Sequence, residues 1–291
     1  NGSSWSRGND MSGIGMELST LPAPCIVEEL SSDRIFASIW KDFIASYPDF
    51  SALLESDPAV KLIEVAAYRE MLLRNRINIA ARGQLLAYAA GTDLDHLAAF
   101  YGVERLAGEG DERLRLRIQL RIKGFSNAGG RDLYRYWALT ASLEVADAYV
   151  DSPQAGHVRI SILSRVGDGT AADVLLDAVK TLVLRDDIRV LTDTVHVVSA
   201  QIIPVHVEAD IWLYPESVIE VLEALPEYLS AQCSIAASLG WDCTRSWLIS
   251  RLHIAGVHRV ALAEPAYDVV VEGYQYAHLV GCTLRYAGRG R

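Results

Sequence analysis

Four cysteines in 291 residues are too few to staple a chain of this size. Cys25, Cys233, Cys243 and Cys282 form no C-x-x-C pair, so reduced thiols are expected rather than a disulfide framework or a zinc ribbon. Also absent is an uninterrupted apolar run of the roughly 18 residues that a membrane-spanning helix needs. No basic stretch followed by an apolar one opens the sequence, which argues against a secretory signal. Basic residues are outnumbered: 27 Lys and Arg face 37 Asp and Glu, for a formal net charge of −10. Such a surface has no global electrostatic reason to coat nucleic acid or an anionic bilayer.

Catalytic signatures are missing as well. There is no G-x-x-x-x-G-K-[ST], no G-x-G-x-x-G and no H-E-x-x-H. Gly124-Phe125-Ser126-Asn127-Ala128-Gly129 comes nearest to a nucleophile elbow. It has one residue too many after Ser126 and lies between helical segments, so a turn explains it better than a serine hydrolase does. His253 and His258 are five apart, a spacing that splays two rings on a helix instead of aiming both at one zinc. Asp93 and Asp95 fit a helix start better than an acid–base pair. No catalytic residue, cofactor or metal ligand is therefore expected. One local basic segment remains, Arg113 to Lys123, with Arg113, Arg115, Arg117 and Arg121 between Leu and Ile. It is a candidate for a nucleic-acid adaptor, but no aromatic platform accompanies it. Ion pairing with acidic groups, in this chain or in a partner protein, is the simpler reading.

Apolar side chains are abundant, at 51% hydrophobic residues, so the chain can bury sizeable cores. Residues 1–20 read as a flexible leader, a cloning remnant or an upstream extension, with Met11 and Met16 as plausible starts. A helical half follows. Val27 to Tyr47 has apolar residues at three- and four-residue steps and ends at Pro48. Asp57-Pro58 offers an N-cap and a first-turn proline for a helix running to about Ala90, with Gly91 as its C′ residue. Thr92-Asp93-Leu94-Asp95 resembles a capping box for a short helix to Tyr101. Asp111 to Lys123 alternates like a strand but consists of good helix formers. Arg131 to Ser142 is helical. The texture then changes to strands at 143–150 and 157–163, a helix at 171–184 and a strand at 190–199. A second unit follows: a strand at 202–213, helices near 216–231 and 244–254, and strands at 257–263, 268–271 and 275–286. The expected fold class is α+β, with a helical N-terminal half followed by two small α+β modules in an elongated, multi-domain subunit. The expected divisions are 21–106 (helical domain), 107–143 (helical joint), 144–200 and 201–286 (modules), and 287–291 (mobile tail).

Short motifs in a fixed order then carry a resemblance. They are Leu21-Pro22-Ala23-Pro24, Ser56-Asp57-Pro58-x-x-Lys61-Leu62-x-Glu64, Ala67-Tyr68-Arg69-Glu70 and Arg74-x-Arg76-x-Asn78-x-Ala80-Ala81-Arg82. Ala89-Ala90-Gly91-x-Asp93-Leu94-Asp95, Tyr101-Gly102-Val103-x-Arg105, Asp111-x-x-Leu114-Arg115-x-Arg117-Ile118 and Gly124-x-Ser126-x-Ala128-Gly129 follow. Leu239-Gly240-x-Asp242 and Gly256-Val257-x-Arg259-Val260 come near the end. The ordered set resembles the baseplate J-like proteins, wedge subunits of contractile phage tails and R-type pyocins. Gly130 departs from the Ser or Thr usual at that place. The resemblance implies that Asp111 to Lys123 is a helix. It also implies a non-enzymatic structural role, in which the chain assembles with a second wedge protein and with further copies of itself into a ring. That ring would surround a central hub and spike, hold the sheath-initiating subunits, and relay the trigger for sheath contraction. Such a protein is made in the bacterial cytoplasm and works in the released particle, without nucleic acid or membrane insertion. Asp57, Pro58, Tyr68, Arg69, Arg76, Asn78, Arg82, Gly91, Asp93, Asp95, Arg115, Arg117, Gly129, Gly256 and Val257 would then shape the fold and its interfaces.

Overall fold

The computed structural model describes residue 24 and residues 26–50, 57–125, 130–190 and 192–290. Eight helices and two three-stranded sheets are present among them, an α+β architecture with a helical N-terminal half. The chain divides into two compact units, with the boundary between Arg105 and Leu106.

The first unit holds α1 (Ser32–Ser46), α2 (Pro58–Gly83) and α3 (Gly91–Phe100). Helix α1 starts five residues later than the periodicity suggests, because Ser31 caps it by accepting a hydrogen bond from the Arg34 N–H. Asp57 caps α2 in the same way, with Oδ1 2.8 Å from the Ala59 nitrogen, and Pro58 occupies the first turn, where its missing N–H costs nothing. Helix α2 stops at Gly83 and not near Ala90. A Cβ at Gly83 would lie 2.7 Å from Asp93 Oδ2, so the end of α2 abuts the first turn of α3 and a larger residue there would have to displace the Asp93 carboxylate. Gly91 does need its conformational freedom (φ +55°), but it opens α3 and does not close α2. The expected capping box is not formed: the N-cap of α3 is Ala90, with no side-chain cap bond.

The second unit begins with α4 (Asp111–Lys123) and α5 (Arg131–Ala141), which pack on each other. The alternating Arg/Leu segment is therefore helical. Strands β1 (Val145–Gln154) and β2 (His157–Ser164) form an antiparallel hairpin, and α6 (Asp173–Val183) crosses over to β3 (Thr194–Ser199), parallel to β2. Helices α5 and α6 cover this sheet, burying Ile160, Ile162, Leu139 and Val179. The second sheet has the order β5–β4–β6. Its central strand β4 (Gln201–Leu213) alternates inward Val205, Val207, Ala209, Ile211 and Leu213 with outward polar residues. Helices α7 (Glu220–Ala236) and α8 (Arg245–Leu252) close that core with Leu225, Leu229, Leu248 and Leu252. Each such side chain contributes about 1.5–3 kcal/mol. Strand β5 (Val257–Glu264) runs antiparallel to β4, and β6 (Gln275–Arg289) runs parallel to it. Three expectations shift here. Helix α7 lies later than 216–231 and contains Pro226, the strand at 268–271 reduces to one bridge between Cys243 and Val269, and β6 runs three residues beyond Tyr286.

The two modules meet through named contacts. Asp147 accepts from the Leu239 N–H (3.1 Å) and from Arg135 (2.8 Å), and the Arg159 guanidinium lies 4.1 Å from the centre of the Tyr274 ring. Ala200, between β3 and β4, is buried.

Candidate assembly surface

The motif residues do not converge on one catalytic cleft. Among the described residues, no group of three or more His, Cys, Asp or Glu could hold a metal ion, and no helix is long and apolar enough to cross a membrane. Ser126 and Gly129 lie outside the described residues. Cys233, Cys243 and Cys282 sit in or against the second module's core. Burial pushes the Cys233 thiol up to about 12, and Cys243 to about 11. These are inert interior thiols, since the thiolate is the reactive form. A thiol reagent at pH 8 is expected to leave Cys233 and Cys243 unlabelled in the folded chain and to label them in guanidinium, with mapping by peptide mass spectrometry. The folded state holds these protons above the ordinary thiol range of about 8.5. Stability should therefore fall as pH rises from about 8.5 towards 11, where only the unfolded chain ionises.

Some motif residues are internal fasteners. Asn78, buried on α2, accepts from the Glu28 N–H at 3.0 Å and donates to the Glu28 carbonyl at 2.8 Å, so one amide pins an extended segment to the helix. Arg74 extends the clamp to the Glu28 carboxylate at 2.8 Å and to Glu70 at 2.7 Å. Asp95 receives Arg105 Nε at 2.6 Å, and Arg105 also reaches the Gly91 carbonyl at 3.3 Å, which ties the chain after α3 back to its first turn. Gly256 (φ +98°) turns the chain into β5, its carbonyl accepts from the Tyr214 N–H, and Val257 is buried beside Leu213.

The arginines of α4 separate by depth. Arg117 is 1% exposed and places Nη1 2.6 Å from Oε2 of Glu109, itself fully buried at its side chain. Its Nε donates to Thr140 Oγ1 at 3.2 Å, and its guanidinium lies over the Tyr136 ring. Arg113 donates to the carbonyls of Val145, Leu139 and Ser142. Burial lowers its pKa, with Arg165 and Arg117 acting in the same direction against Glu109 and Asp147. Arg115 pairs with the exposed Glu112 at 2.6 Å. Three of the five basic residues of this segment, Arg113, Arg115 and Arg117, therefore spend their charge inside their own unit, which shrinks the footprint a nucleic-acid adaptor would need. Burial also removes Arg117 from any surface. Glu109 is the residue that sequence reasoning missed. It reads as part of a glycine-flanked loop, and its one signal is its position eight residues before Arg117.

The exposed candidate is α2. Its buried face carries Val60, Ile63, Ala67 and Asn78. Its other face leaves Leu62, Val65, Leu72 and Ile79 exposed, and Leu62 reaches 72%. With Arg69 and Arg76 these positions form a stripe at alternating three- and four-residue steps, the spacing of a helix–helix seam. Tyr68, Leu73 and Ile77 widen it. Arg69, Arg76 and Arg82 are exposed and have no ion-pair partner among the described residues. A helix of 26 residues spans about 39 Å, so the stripe is long. Exposed apolar patches of this kind mark interaction sites.

Residues 55–109, which contain α2, α3 and Glu109, match the family described as Baseplate J-like N-terminal domain. Over 287 aligned positions the chain is 38% identical to baseplate protein J of Escherichia phage P2, covering 89% of this chain and 94% of that relative. Identity of that extent runs through both compact units, and the chain belongs to the baseplate J-like family.

Proposed function

We propose that the protein is a structural wedge subunit of the baseplate of a contractile particle, a phage tail or an R-type pyocin. It assembles there with a second wedge protein and with further copies of itself around the central hub and spike. The same ring supports the sheath-initiating subunits and passes on the signal for contraction. Assembly takes place in the bacterial cytoplasm, and the work is done in the released particle. The observation that supports this reading best is the α2 stripe. Leu62, Val65, Leu72 and Ile79 expose apolar surface that a lone soluble chain has no reason to keep. The family membership, over nearly the whole chain, supports the same role.

The stripe also favours a particular kind of partner. Arg69 and Arg76 occupy positions along the seam, so a second α2 laid against it in parallel would set arginine against arginine. A helix with acidic residues at those levels would answer both charge and apolar pattern. Co-expression with the second wedge protein of the same particle tests the reading. A stable complex with two copies of this chain per partner is expected by size exclusion and native mass spectrometry. Separate elution of the two proteins under all salt conditions would overturn it.

A further inference from the structure

We propose that β6 is a second docking element, and that its occupant is β6 of another copy of this chain, paired edge to edge about a two-fold axis at Leu284. The proposal rests on the reading of the chain as a multi-copy assembly subunit, but on a different surface from α2.

The four sheet edges are not alike. Strand β3 is only six residues long. On β1, Arg113 occupies the Val145 carbonyl, and the Asp147 carboxylate occupies the Ala148 N–H. On β5, Arg245 donates to the Leu262 carbonyl, and also to that of Pro265 just beyond the strand. Short strands and side chains that consume edge groups are the usual defences against unwanted strand pairing. Strand β6 has 15 residues and is neither short nor capped along its edge by side chains of the described residues; its two irregularities leave Gly281–Tyr286 as a regular stretch between them. The Gln275 carbonyl is taken by Gly240, but from Tyr276 to Arg289 the side away from β4 has no backbone hydrogen-bond partner among the described residues. Thr283, Arg285, Tyr286 and Ala287 are exposed.

The pattern of this edge selects its occupant. Register shifts against β4 fall at Val280 and Ala287, so the regular stretch is Gly281–Tyr286. Within it, Cys282, Leu284 and Tyr286 pair with the inward residues Val207, Ala209 and Ile211, and so lie on the core side of the sheet. Thr283 and Arg285 pair with Glu208 and Asp210 and lie on the open side. An antiparallel copy centred on Leu284 sets Leu284 against Leu284, Cys282 against Tyr286, and Thr283 against Arg285. Apolar residues then meet apolar ones on one side, polar residues meet on the other, and no like charges stand directly opposite. A slip that centred the pair on Arg285 would oppose two guanidinium groups. The self-pairing is isologous, as a two-fold contact between identical chains requires, and it merges two three-stranded sheets into one of six.

Cysteine cross-linking in the assembled particle tests this, in a Cys282→Ser background. Leu284→Cys should give a covalent dimer of this chain under mild oxidation, because the two-fold axis sets that residue opposite itself. Val280→Cys is the control. Its side chain is 55% exposed, but the proposed register holds its two copies eight residues apart along the strands. Dimers from Leu284→Cys and not from Val280→Cys support the pairing. Equal or greater cross-linking of Val280→Cys, or no dimer from Leu284→Cys in particles of normal yield, overturns it. If Leu284→Cys lowers particle yield, Thr283→Pro and Leu284→Pro decide the matter, since adjacent N–H groups point to opposite sides of a strand. One of the two spares the β4 ladder and keeps a native melt. That variant should fail to link neighbouring copies, and its normal incorporation would overturn the proposal. Loss of the wedge-partner complex in any of these variants would implicate α2 or the fold, so the two readings fail separately.

Discussion

Replacing Arg117 by alanine is expected to cost the isolated chain about 3–5 kcal/mol in urea denaturation, the usual effect of removing one partner from a buried ion pair. The Glu109 carboxylate is fully buried and would lose its 2.6 Å partner. It would keep the Leu106 N–H at 3.0 Å and the Arg113 guanidinium at 3.6 Å, neither of which replaces a 2.6 Å charge-paired donor. The cost is large because the charge that stays behind has been taken out of water, not because the pair itself is strongly favourable. Domains of this kind are stable by about 5–15 kcal/mol, so a drop in soluble yield should accompany the change. Arg117→Met with Glu109→Gln removes both charges and should recover a large part of the loss. Arg115→Ala is the contrast. Its partner Glu112 is 92% exposed, so no buried charge is left behind; Arg115 itself is 13% exposed, so the change should cost some packing but clearly less than Arg117→Ala. A loss below about 1 kcal/mol for Arg117→Ala would overturn the fastener role. If Arg117→Ala left the fold intact and impaired assembly alone, the residue would belong to an interface instead.

The second large effect is expected on assembly, with the fold preserved. Val65→Asp combined with Leu72→Asp places carboxylates in the α2 stripe, each four residues before an arginine, Arg69 or Arg76. Pairs at that spacing support an isolated helix by about 0.2–0.5 kcal/mol each. Both original side chains are substantially exposed, Val65 at 59% and Leu72 at 44%. The isolated chain should therefore melt within a few degrees of the parent. Binding to the wedge partner should fall by at least about 100-fold, because apolar anchors in the middle of an interface carry about 2 kcal/mol or more each. Unchanged affinity by calorimetry, with an unchanged melt, would exclude this face of α2 as the contact. The double variant also separates charge from shape: Arg69→Gln with Arg76→Gln should weaken binding less and flatten its dependence on salt.

Much of the architecture was legible beforehand, for identifiable reasons. Asp57-Pro58 announces the start of α2, because a capping carboxylate and a proline are useful together only at a helix N-terminus. The alternation of β4 from Val205 to Leu213 announces one covered face. The misplaced boundaries have local causes that no window of sequence reveals. Helix α2 ends at Gly83, where the chain meets the Asp93 side chain of the next helix, and Gly91 serves the start of α3 where the end of α2 was expected. The assembly candidate was only half legible. Leu62, Val65, Leu72 and Leu73 are plainly apolar in the sequence, but α2 is apolar on more than one side, and periodicity alone does not say which side the fold keeps.

What the sequence by itself determined is the order of helices and strands and, through short motifs in a fixed order, the family. Both depend on residues near one another along the chain. Tertiary structure alone decided where the charges went. Arg113, Arg115 and Arg117 are spaced identically and look interchangeable. Packing α4 against α5 carries Arg117 inward to Glu109, spends Arg113 on three carbonyls, and leaves Arg115 against an exposed glutamate. The same step, burying one face of α2 and pairing one edge of β6 with β4, settled which surfaces remain for partners. Burial depends on what stands opposite, and that neighbour is distant in the sequence.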